Sequence, residues 1–415
     1  MSKLIIEGGQ TLIGEVTSSG AKNAALPILA ATVLLEGESE LRNVPKLMDI
    51  VTMVRMLNAL GVRTEFGPNN TVRIWNNKKI RHIAPYELVT AMRASFFVAG
   101  PLLAKTGLAK VPLPGGCAIG SRPIDLHLKG FKALGAEVFV EHGFVELKAK
   151  RLVGTHIYLD FPSVGATENI MMAACLAEGT TVIDNAALEP EITDLGHFLI
   201  KAGAKIEGLD TPNITIHGVE KLHGIQYDVI PDRVEIGTLM IAGAITGGDV
   251  TVHNVVIPHL EPLIRKLKEC GADIVCERNL IQVKGNKDLI AVDIETQPFP
   301  GFPTDMQAQM MSLLCVVKGN SKVKETIFEN RFMHAHELMR MGANIKLDKN
   351  YAFISGVETL SGAEVRITDL RAGAALVLAG LAAEGETIVY GLKHLKRGYE
   401  NMPEKIRALG GRIVE

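Results

Sequence analysis

The segment "ALGVRTEF", residues 59–66, decides the fold of this chain because it recurs in recognisable form along the whole length. The related segments are "ALGAEVFV" (133–140), "KAGAKIEG" (201–208), "ECGADIVC" (269–276), "RMGANIKL" (340–347) and "ALGGRIVE" (408–415). In each of them a glycine follows a stretch of helical periodicity and precedes a short run of alternating apolar residues. This order predicts a helix that ends at a left-handed glycine and is followed by a strand.

A second recurring element is a long apolar segment that ends near a glycine and leads into another strand pattern, as in "ENIMMAACLAEGTTVIDNA" (168–186). The two elements alternate, and the glycines of the first element are 68 to 74 residues apart. A unit of about 70 residues therefore holds two helices and about four short strands, and such units are typical of a repeat architecture. Six of them fill the chain.

The sixth unit reaches Glu415 before its last strands are complete. The segment "IIEGGQTLIGEVTSSG" (5–20) matches strand segments of two other units, at 215–232 and 353–370, so we expect it to complete the sixth. Closure of this kind predicts an α/β protein of two lobes with a cleft between them. The predicted lobes, with three units each, are residues 21–229 for lobe one, and residues 1–20 plus 230–415 for lobe two.

The composition excludes several classes of protein. Of the 415 residues, 47% are hydrophobic and 22% are charged, which is typical of a globular protein. The formal net charge of −2 provides no electrostatic basis for binding nucleic acid or an anionic membrane. The segment "MSKLIIEGGQ" (1–10) lacks the apolar core of a signal peptide, and apolar runs such as 372–383 are shorter than the ~20 residues of a membrane span. We therefore expect a cytoplasmic protein whose partners are neither nucleic acid nor membrane.

Neither a disulfide framework nor a metal site is expected. The chain has five cysteines, none of them in a Cys-x-x-Cys or Cys/His arrangement. His334 and His336 resemble a metal-binding pair, but no third ligand stands near them in the sequence. Four cysteines lie in apolar periodic segments and are expected to fill the core, namely Cys175, Cys270, Cys276 and Cys315.

Polar residues occupy the starts of the long apolar helices at equivalent positions of the repeat. A helix amino terminus offers unpaired N–H donors and a partial positive charge, so it attracts anions and disfavours cations. Basic side chains nevertheless stand at several of these starts, which is expected where function overrides local stability. The residues are Lys22, Asn23, Arg93, Asp305, Asp369 and Arg371. We interpret them as the lining of a pocket for a ligand with several negative charges, in which Asp305 provides a carboxylate.

Each of these residues has a simpler interpretation when it is taken alone. Asp305 and Asp369 could serve only as helix caps or first-turn acids. Lys22, Arg93 and Arg371 could be ordinary solvated charges. Their shared placement across the repeat favours the functional interpretation.

The loop "PLPGGCAIGSRP", residues 112–123, is rich in glycine and proline where other units have tight connections. Glycine permits unusual backbone angles and proline restricts them, so the segment is typical of a lid. Cys117 lies in this loop, close in sequence to Arg122. A thiol near an arginine can act as a nucleophile or deliver a proton, and the alternative is an exposed thiol without function.

Eight segments distributed along the chain can be compared with known families. They are "SGAKNAALP" (19–27), "MRASF" (92–96), "LPGGCAIGSRPIDLH" (113–127), "SVGAT" (163–167), "FPTDMQAQ" (302–309), "FENRFMH" (328–334), "TDLRAGAALVLAG" (368–380) and "RGYE" (397–400). Together they resemble the enolpyruvyl transferase family over essentially the whole chain, in the branch that uses UDP-N-acetylglucosamine. The resemblance implies two inside-out α/β barrel lobes, each of three βαβαββ units.

The same resemblance implies the reaction. Phosphoenolpyruvate and UDP-N-acetylglucosamine would be the substrates, and neither a cofactor nor a metal is implied. The sugar 3-hydroxyl would attack C2 of the enol while C3 is protonated, and the tetrahedral intermediate would then expel phosphate. The resulting 3-O-enolpyruvyl ether is the product of the first committed step of peptidoglycan precursor synthesis. An epoxide phosphonate of the fosfomycin type is expected to alkylate Cys117.

The resemblance also assigns roles to residues. Cys117 would be the acid that also adds covalently to phosphoenolpyruvate, and Asp305 would be the base for the sugar hydroxyl. Asp369 would share proton handling, and Lys22, Arg122 and Arg397 would hold the phosphate and the carboxylate. Lys22 and Arg397 complete the implied catalytic set. The residues implied to contact the substrates are Lys22, Asn23, Arg93, Arg122, Pro123, Ile124, Asp125, Leu126, Ser163, Val164, Gly165, Asp305, Ile327, Arg331, Arg371 and Arg397.

One departure from the family and two alternative functions accompany this interpretation. Some members carry a diphosphate-contacting lysine just before "SVGAT", where this chain has Phe161 and Pro162. A relative that acts on shikimate 3-phosphate shares the fold and the phosphoenolpyruvate chemistry, but "GGCAIGSRP" (115–123) favours the nucleotide sugar. A sensor that binds the UDP-sugar without catalysis is the second alternative.

Overall fold

The computed structural model describes residues 3–114, 119–120, 123–286 and 288–415. These residues form two compact units, each with its own hydrophobic core. The terminal unit comprises residues 3–19, 119–120 and 231–415, and the middle unit comprises residues 20–114 and 123–230. Cys117 and Arg122, the two lid residues of interest, lie outside the described residues.

Both units are built from short helices that alternate with strands. In chain order the α-helices are α1 (Lys22–Ala31), α2 (Met48–Leu60), α3 (Tyr86–Ala91), α4 (Ala99–Thr106), α5 (Asp125–Ala133), α6 (Val164–Ala174), α7 (Pro190–Lys201), α8 (Arg233–Ile245), α9 (Glu261–Glu269), α10 (Gln307–Leu314), α11 (Met333–Arg340), α12 (Leu370–Ala382) and α13 (Met402–Ala408). Short 3-10 turns are Arg93–Val98, Ile257–Leu260, Thr304–Met306 and Leu395–Arg397. In the described part of the chain, no helix has the length and apolar character that crossing a membrane requires.

The strands are short and regularly spaced. In chain order they are β1 (Lys3–Glu7), β2 (Ile13–Thr17), β3 (Leu35–Arg42), β4 (Arg63–Phe66), β5 (Val72–Asn76), β6 (Leu108–Pro112), β7 (Glu137–Glu141), β8 (Phe144–Lys148), β9 (His156–Tyr158), β10 (Thr180–Asp184), β11 (Lys205–Glu207), β12 (Asn213–His217), β13 (Leu222–His223), β14 (Gln226–Asp228), β15 (Asp249–His253), β16 (Asp273–Glu277), β17 (Leu280–Lys284), β18 (Ile294–Glu295), β19 (Asn320–Lys324), β20 (Asn344–Asp348), β21 (Tyr351–Ser355), β22 (Glu364–Arg366), β23 (Glu386–Tyr390) and β24 (Arg412–Val414).

The repeated glycine segments have the structure that their sequence predicts. A helix ends just before each repeat glycine and a strand begins two residues after it, from α2 and β4 at Gly61 to α13 and β24 at Gly410. The φ angles of these six glycines lie between 90° at Gly410 and 108° at Gly203. A side chain is strained in this left-handed region, which explains why the same residue type recurs at all six places.

The strands pair into three sheets in each unit, counted over the described residues. In the middle unit the strand orders are β13-β3-β5-β4 with β14 also on β3, β6-β8-β7, and β11-β12-β10-β9. In the terminal unit they are β22-β23-β1-β24, β16-β17-β15-β2, and β18-β19-β21-β20. β1 is antiparallel to β24, with Ile5 opposite Val414, and β2 is parallel to β15, with Val16 opposite Val252. The amino-terminal strands therefore complete two sheets of the terminal unit.

Each unit also has an inner set of apolar helices. In the terminal unit α8, α10 and α12 pack against one another, and in the middle unit α6 packs against α1 and α4. Residues 166–174 of α6 are all buried, whereas in β1 only Leu4 and Ile6 are. A helix that is buried on all sides belongs in the core, and a strand that alternates exposes one face. The first turns of these inner helices carry five of the predicted site residues, namely Lys22, Asn23, Val164, Gly165 and Arg371.

Two features differ from the sequence-based expectation. Cys276 is exposed, because in the edge strand β16 only Ile274 points into the core. Ile119 and Gly120, which the predicted boundaries assign to lobe one, group with the terminal unit. There the main-chain N–H of Asn330 donates to the Ile119 carbonyl at 3.0 Å.

Candidate active site

Asp305 lies between two buried arginines of the terminal unit. Arg331 Nη2 donates to Asp305 Oδ1 at 2.7 Å, and Arg371 Nη2 donates to Oδ2 at 2.6 Å. The two arginine side chains are each 4% exposed, whereas the Asp305 side chain is 29% exposed. The carboxylate is therefore held by charge-assisted hydrogen bonds on both oxygens and keeps an accessible face.

Three separate local structures bring these side chains together. Asp305 lies in the 3-10 turn that leads into α10, Arg371 lies in the first turn of α12, and Arg331 comes shortly before α11. A cation in the first turn of a helix is unfavourable for that helix, but the pairing with Asp305 compensates for it here. The basic residue at the start of α12, Arg371, is thus paired with an acidic partner, Asp305.

The charge state of Arg371 follows from the same contact. Burial is the largest single influence on Arg371 and lowers its pKa, but Asp305, Tyr399 and Asp232 together more than offset burial, and the pKa is raised above its usual range. The guanidinium also lies 5.6 Å from the centroid of the Tyr399 ring. Among the described residues, the Nε atoms of Arg331 and Arg371 are buried without a hydrogen-bond partner. Both arginines are therefore fixed cations that retain a donor group.

Asp369 acts as a helix cap, one of the two interpretations that the sequence leaves open. Its Oδ1 accepts from the main-chain N–H groups of Arg371 at 2.9 Å and Ala372 at 3.2 Å. Burial lowers the pKa of nearby His334 to about 4, while the Asp369 carboxylate opposes this shift and Arg331 adds to it. His334 is therefore neutral at neutral pH, which keeps a further positive charge away from Arg331.

A buried polar network that the sequence does not predict joins the inner helices of the terminal unit. Gln309 Nε2 on α10 donates to the Asp305 carbonyl at 2.8 Å and to the Tyr399 hydroxyl at 3.0 Å. The Tyr399 hydroxyl in turn lies 3.0 Å from Thr238 Oγ1 on α8. The network ties the turn that carries Asp305 to the segment that follows Arg397. Two of its residues stand in the quoted segments, Gln309 in "FPTDMQAQ" (302–309) and Tyr399 in "RGYE" (397–400).

The other predicted residues of the terminal unit are less enclosed. Arg397 ends the 3-10 turn Leu395–Arg397 and is half-buried. Burial, Lys393 and Arg397 together lower the pKa of His394. Ile327 is half-buried, and its main-chain N–H donates to Glu325 Oε1 at 2.8 Å. The N–H of Ile327 is therefore already engaged. A ligand at this position could contact only the carbonyl and the side chain of Ile327.

In the middle unit Lys22 begins α1 and is paired. Its Nζ lies 3.4 Å from Asp49 Oδ2, and both side chains are buried. The first turn of α1 contains no acidic residue, so the positive end of the helix and the Lys22 ammonium add to each other. Asn23 beside it is exposed. The start of α1 therefore presents positive charge that Asp49 offsets only in part.

The segments predicted to bind uridine and diphosphate also meet within the middle unit. Ser163 caps α6, with its Oγ accepting from the Ala166 N–H at 3.4 Å. A Cβ atom at Gly165 would lie only 3.2 Å from His127 Cε1, so glycine permits α5 to approach the start of α6. Residues 123–126 lead into the same α5 and are exposed or half-buried. The structure thus brings residues 123–126 and 163–165 together around His127.

His127 is a residue of this region that the sequence does not single out. Burial lowers its pKa to about 3, and the positive charge of Arg93 contributes to the shift. Asn169 Oδ1 accepts from the Gly100 N–H at 2.9 Å. Asn169 Nδ2 lies 3.1 Å from His127 Nδ1. Because the Asn169 nitrogen is a donor, Nδ1 must accept, and the proton resides on Nε2. A lone histidine in an amphipathic helix is indistinguishable from a core residue in the sequence.

We expect the His127 imidazole to remain neutral, with its proton on Nε2, from pH 8 to well below pH 5. The pKa of His127 in the folded protein lies below the usual value of 6.5. Its contribution to the stability of the fold is therefore fully present above pH 6.5 and is lost as the pH falls towards the folded pKa of about 3. At pH 5 this group alone lowers the free energy of unfolding by about 2 kcal/mol. Nitrogen-15 NMR of labelled histidine measures both tautomer and pKa. A titration midpoint above pH 5.5 would contradict the assignment. In Asn169→Ala the imidazole should no longer favour the tautomer with its proton on Nε2.

A surface cavity elsewhere in the middle unit contains none of the predicted residues. Its volume is about 670 Å³, and residues 103–108 and 148–152 form most of its lining. Lys105, Lys148 and Arg151 line it, but each is paired with a glutamate. Among the described residues no group of three or more histidine, cysteine or acidic side chains is arranged to hold a metal ion.

Known proteins resemble this chain over its full length. The sequence model of the family EPSP synthase (3-phosphoshikimate 1-carboxyvinyltransferase) matches residues 6–406. UDP-N-acetylglucosamine 1-carboxyvinyltransferase 1 of Caldanaerobacter subterraneus subsp. tengcongensis is 56% identical over 413 residues, 99% of this chain and 99% of that protein. UDP-N-acetylglucosamine 1-carboxyvinyltransferase 2 of Carboxydothermus hydrogenoformans is 57% identical over 415 residues, 100% of this chain and 99% of that protein.

Solved structures agree with the mixed α/β fold. The enolpyruvyl transferase NikO from Streptomyces tendae superposes with a TM-score of 0.90 at 26% identity, covering 99% of this chain and 98% of that one. EPSP synthase from Acinetobacter baumannii shares the fold, with a TM-score of 0.78 at 20% identity over 100% of both chains. The family resemblance inferred from the eight sequence segments is thereby confirmed. The chain belongs to the enolpyruvyl transferases and, within them, to the family of UDP-N-acetylglucosamine 1-carboxyvinyltransferases.

Proposed function

We propose that the protein transfers the enolpyruvyl group of phosphoenolpyruvate to the 3-hydroxyl of UDP-N-acetylglucosamine and releases inorganic phosphate. The observation that carries the proposal is the identity of 56% and 57%, over essentially the whole chain, to relatives that bear the name of this activity. This reaction commits the sugar nucleotide to peptidoglycan precursor synthesis. The geometry of each unit supports particular roles for particular residues.

Asp305 is the proposed base for the sugar hydroxyl. As the oxygen forms its bond to C2 of phosphoenolpyruvate, the hydroxyl proton passes to the exposed face of the carboxylate. Arg331 and Arg371 hold the two carboxylate oxygens at 2.7 and 2.6 Å, so the side chain cannot turn away. Cys117 is the proposed acid that gives C3 its proton, and it also adds covalently to phosphoenolpyruvate. The tetrahedral intermediate then loses a proton from C3 and its phosphate, and the double bond re-forms.

Cationic residues are proposed to bind the phosphate and carboxylate of phosphoenolpyruvate and to stabilise the charge that develops on the departing phosphate. They are Lys22, Arg122 and Arg397, with Asn23, Arg93, Arg331 and Arg371 completing the anion and sugar contacts. The start of α1 supports this role for Lys22, because the helix end and the ammonium carry charge of the same sign. Asp369 is proposed to share proton handling during elimination, although its Oδ1 also caps α12.

The uridine and diphosphate are proposed to bind at Arg122, residues 123–126, residues 163–165 and Ile327. The convergence of α5 and the start of α6 around His127 supports this assignment for the middle unit. The start of α6 carries the partial positive charge of a helix amino terminus, which attracts a diphosphate. Phe161 and Pro162 supply no cation there, so the helix start is the main positive feature of that segment.

The finer description of the fold also belongs to this proposal. We propose that each unit is an inside-out α/β barrel of three βαβαββ repeats, which is supported by three sheets and one inner helix set in each. The lobes would comprise residues 21–229, and residues 1–20 plus 230–415, except that Ile119 and Gly120 group with the second of these. We further propose a cytoplasmic location, supported by the four described cysteines, all of which are free thiols.

A single assay tests the proposed function against its alternatives. Phosphate release from phosphoenolpyruvate is measured with UDP-N-acetylglucosamine, with shikimate 3-phosphate and without acceptor, in the natural protein and in Cys117→Ser. Release with the nucleotide sugar alone supports the proposal. Release with shikimate 3-phosphate alone would establish the other enolpyruvyl transfer. No release with either acceptor, together with measurable binding of the UDP-sugar, would indicate a sensor.

A further inference from the structure

Glu325 is a buried acid of the terminal unit that the proposed mechanism does not use. It directly follows β19 and is 2% exposed. A buried carboxylate is costly unless its oxygens receive hydrogen bonds, so the donors around it indicate what it stabilises.

Donors from three chain segments converge on this carboxylate. Oε2 accepts from Thr304 Oγ1 at 2.9 Å. Oε1 accepts from Thr296 Oγ1 at 2.9 Å and from the main-chain N–H groups of Ile327 at 2.8 Å and Phe328 at 3.2 Å. These donors satisfy the carboxylate with neutral groups, and each of the hydrogen bonds is charge-assisted.

Two of the segments carry proposed site residues. Thr304 directly precedes Asp305, and the Ile327–Phe328 turn leads to Arg331. Arg331 Nη2 closes the arrangement by donating to Asp305 Oδ1 at 2.7 Å and to the Thr304 carbonyl at 3.4 Å. The turn of Asp305 and the turn of Arg331 are therefore joined twice, once through Glu325 and once through the arginine. We call this arrangement the Glu325 junction.

We propose that Glu325 is a positioning residue for the transfer reaction, which acts on Asp305 through Thr304 and on Ile327 through its N–H. The inference rests on the proposed function, because it assumes that Asp305 removes the hydroxyl proton. A base displaced by about 1 Å loses roughly 10²-fold in rate, since proton transfer requires short and directed contacts. A glutamine in this place could accept on one side only, and its amide nitrogen would face a donor.

The chain offers matched variants for testing the junction. Glu325→Gln removes the charge without a change of shape. Thr304→Val and Thr296→Val each remove one hydroxyl that donates to the same carboxylate. Only Thr304 is bonded to Asp305 in the chain, whereas the Thr296 hydroxyl also accepts from the Thr326 N–H at 2.9 Å. Glu295→Gln is the control on neighbouring β18, where the carboxylate is 46% exposed and pairs with Lys324.

Steady-state kinetics should separate positioning from mere stabilisation. We expect Glu325→Gln to lower kcat by roughly 10- to 100-fold, with KM for phosphoenolpyruvate changed by less than about 3-fold. Thr304→Val should lower kcat by about 10-fold, whereas Thr296→Val should stay within about 2-fold despite a similar loss of melting temperature. Equal effects of the two threonine variants on kcat would overturn the positioning role, as would a Glu325→Gln enzyme with natural kcat.

Hydrogen exchange provides a readout that does not depend on turnover. The Ile327 and Phe328 amides should exchange about 10-fold faster in Glu325→Gln than in the natural protein, and Glu295→Gln should leave them unchanged. Unchanged exchange in Glu325→Gln would show that the junction does not hold this turn, and the proposal would fail. If the natural protein releases no phosphate, the proposed function fails instead, and the exchange rates still decide whether the junction exists.

Discussion

Replacing Asp305 by asparagine is expected to lower kcat by about 10³-fold, because the reaction loses the base for the sugar hydroxyl. The amide also fits poorly between the two guanidinium groups, since its nitrogen would face a donor from Arg331 or Arg371. Steady-state phosphate release at saturating substrate measures the loss. A variant that retains more than a tenth of the natural kcat would remove Asp305 from the base role.

The same substitution should also reduce stability, because two buried guanidinium groups lose their counterion. We expect a loss of about 3 kcal/mol in the free energy of unfolding, at the low end for a buried pair since Asp305 is 29% exposed. Glu404→Gln is the control, because Glu404 pairs with Arg407 at 2.9 Å on the surface. That exposed pair should contribute less than about 1 kcal/mol. Denaturant unfolding monitored by circular dichroism gives both values.

Cys117 is expected to be the thiol that an epoxide phosphonate alkylates. Attack requires the thiolate, and burial raises the pKa of Cys175, Cys270 and Cys315 to about 12. At neutral pH those three thiols are therefore almost entirely protonated as well as enclosed. Only Cys276 is exposed among the described cysteines, so it is the one competitor that the structure identifies.

Two single variants distinguish these thiols. Cys117→Ser should slow alkylation by at least about 100-fold, and Cys276→Ser should leave the rate within about 2-fold, because partial burial raises the Cys276 pKa. Intact-mass analysis counts the adducts, and peptide mapping places them. An adduct found mainly on Cys276 would rule out the special reactivity assigned to the 112–123 loop.

Because the chain is built from repeats, much of its fold can be predicted from the sequence. Each helix–glycine–strand segment specifies a local structure by itself, and the φ angles of 103° at Gly61 and 90° at Gly410 follow from that local pattern. The order of the strands is harder to predict, because β1 pairs with β23 and β24, which lie at the far end of the chain. The match of residues 5–20 to other repeats was the only signal of that pairing.

The site was predictable only in part, because its contacts join distant residues. Asp305 and Asp369 both stand before an inner helix, yet one carboxylate binds arginines and the other caps a helix. Arg331 and Arg371 are 26 and 66 residues from Asp305, and no local pattern indicates that they share it. Buried polar residues such as His127 and Glu325 were missed for the same reason, since their partners are specified only by tertiary packing.

The pairing of β1 with β24 has a consequence for biosynthesis. Strand Lys3–Glu7 leaves the ribosome long before its partner Arg412–Val414 is made. The middle unit can finish folding once residue 230 has emerged, whereas the terminal unit must wait for some 180 further residues, roughly 10 to 40 s at the usual pace of translation. During that interval the early strand is unpaired and open to chaperones, to proteases and to wrong partners.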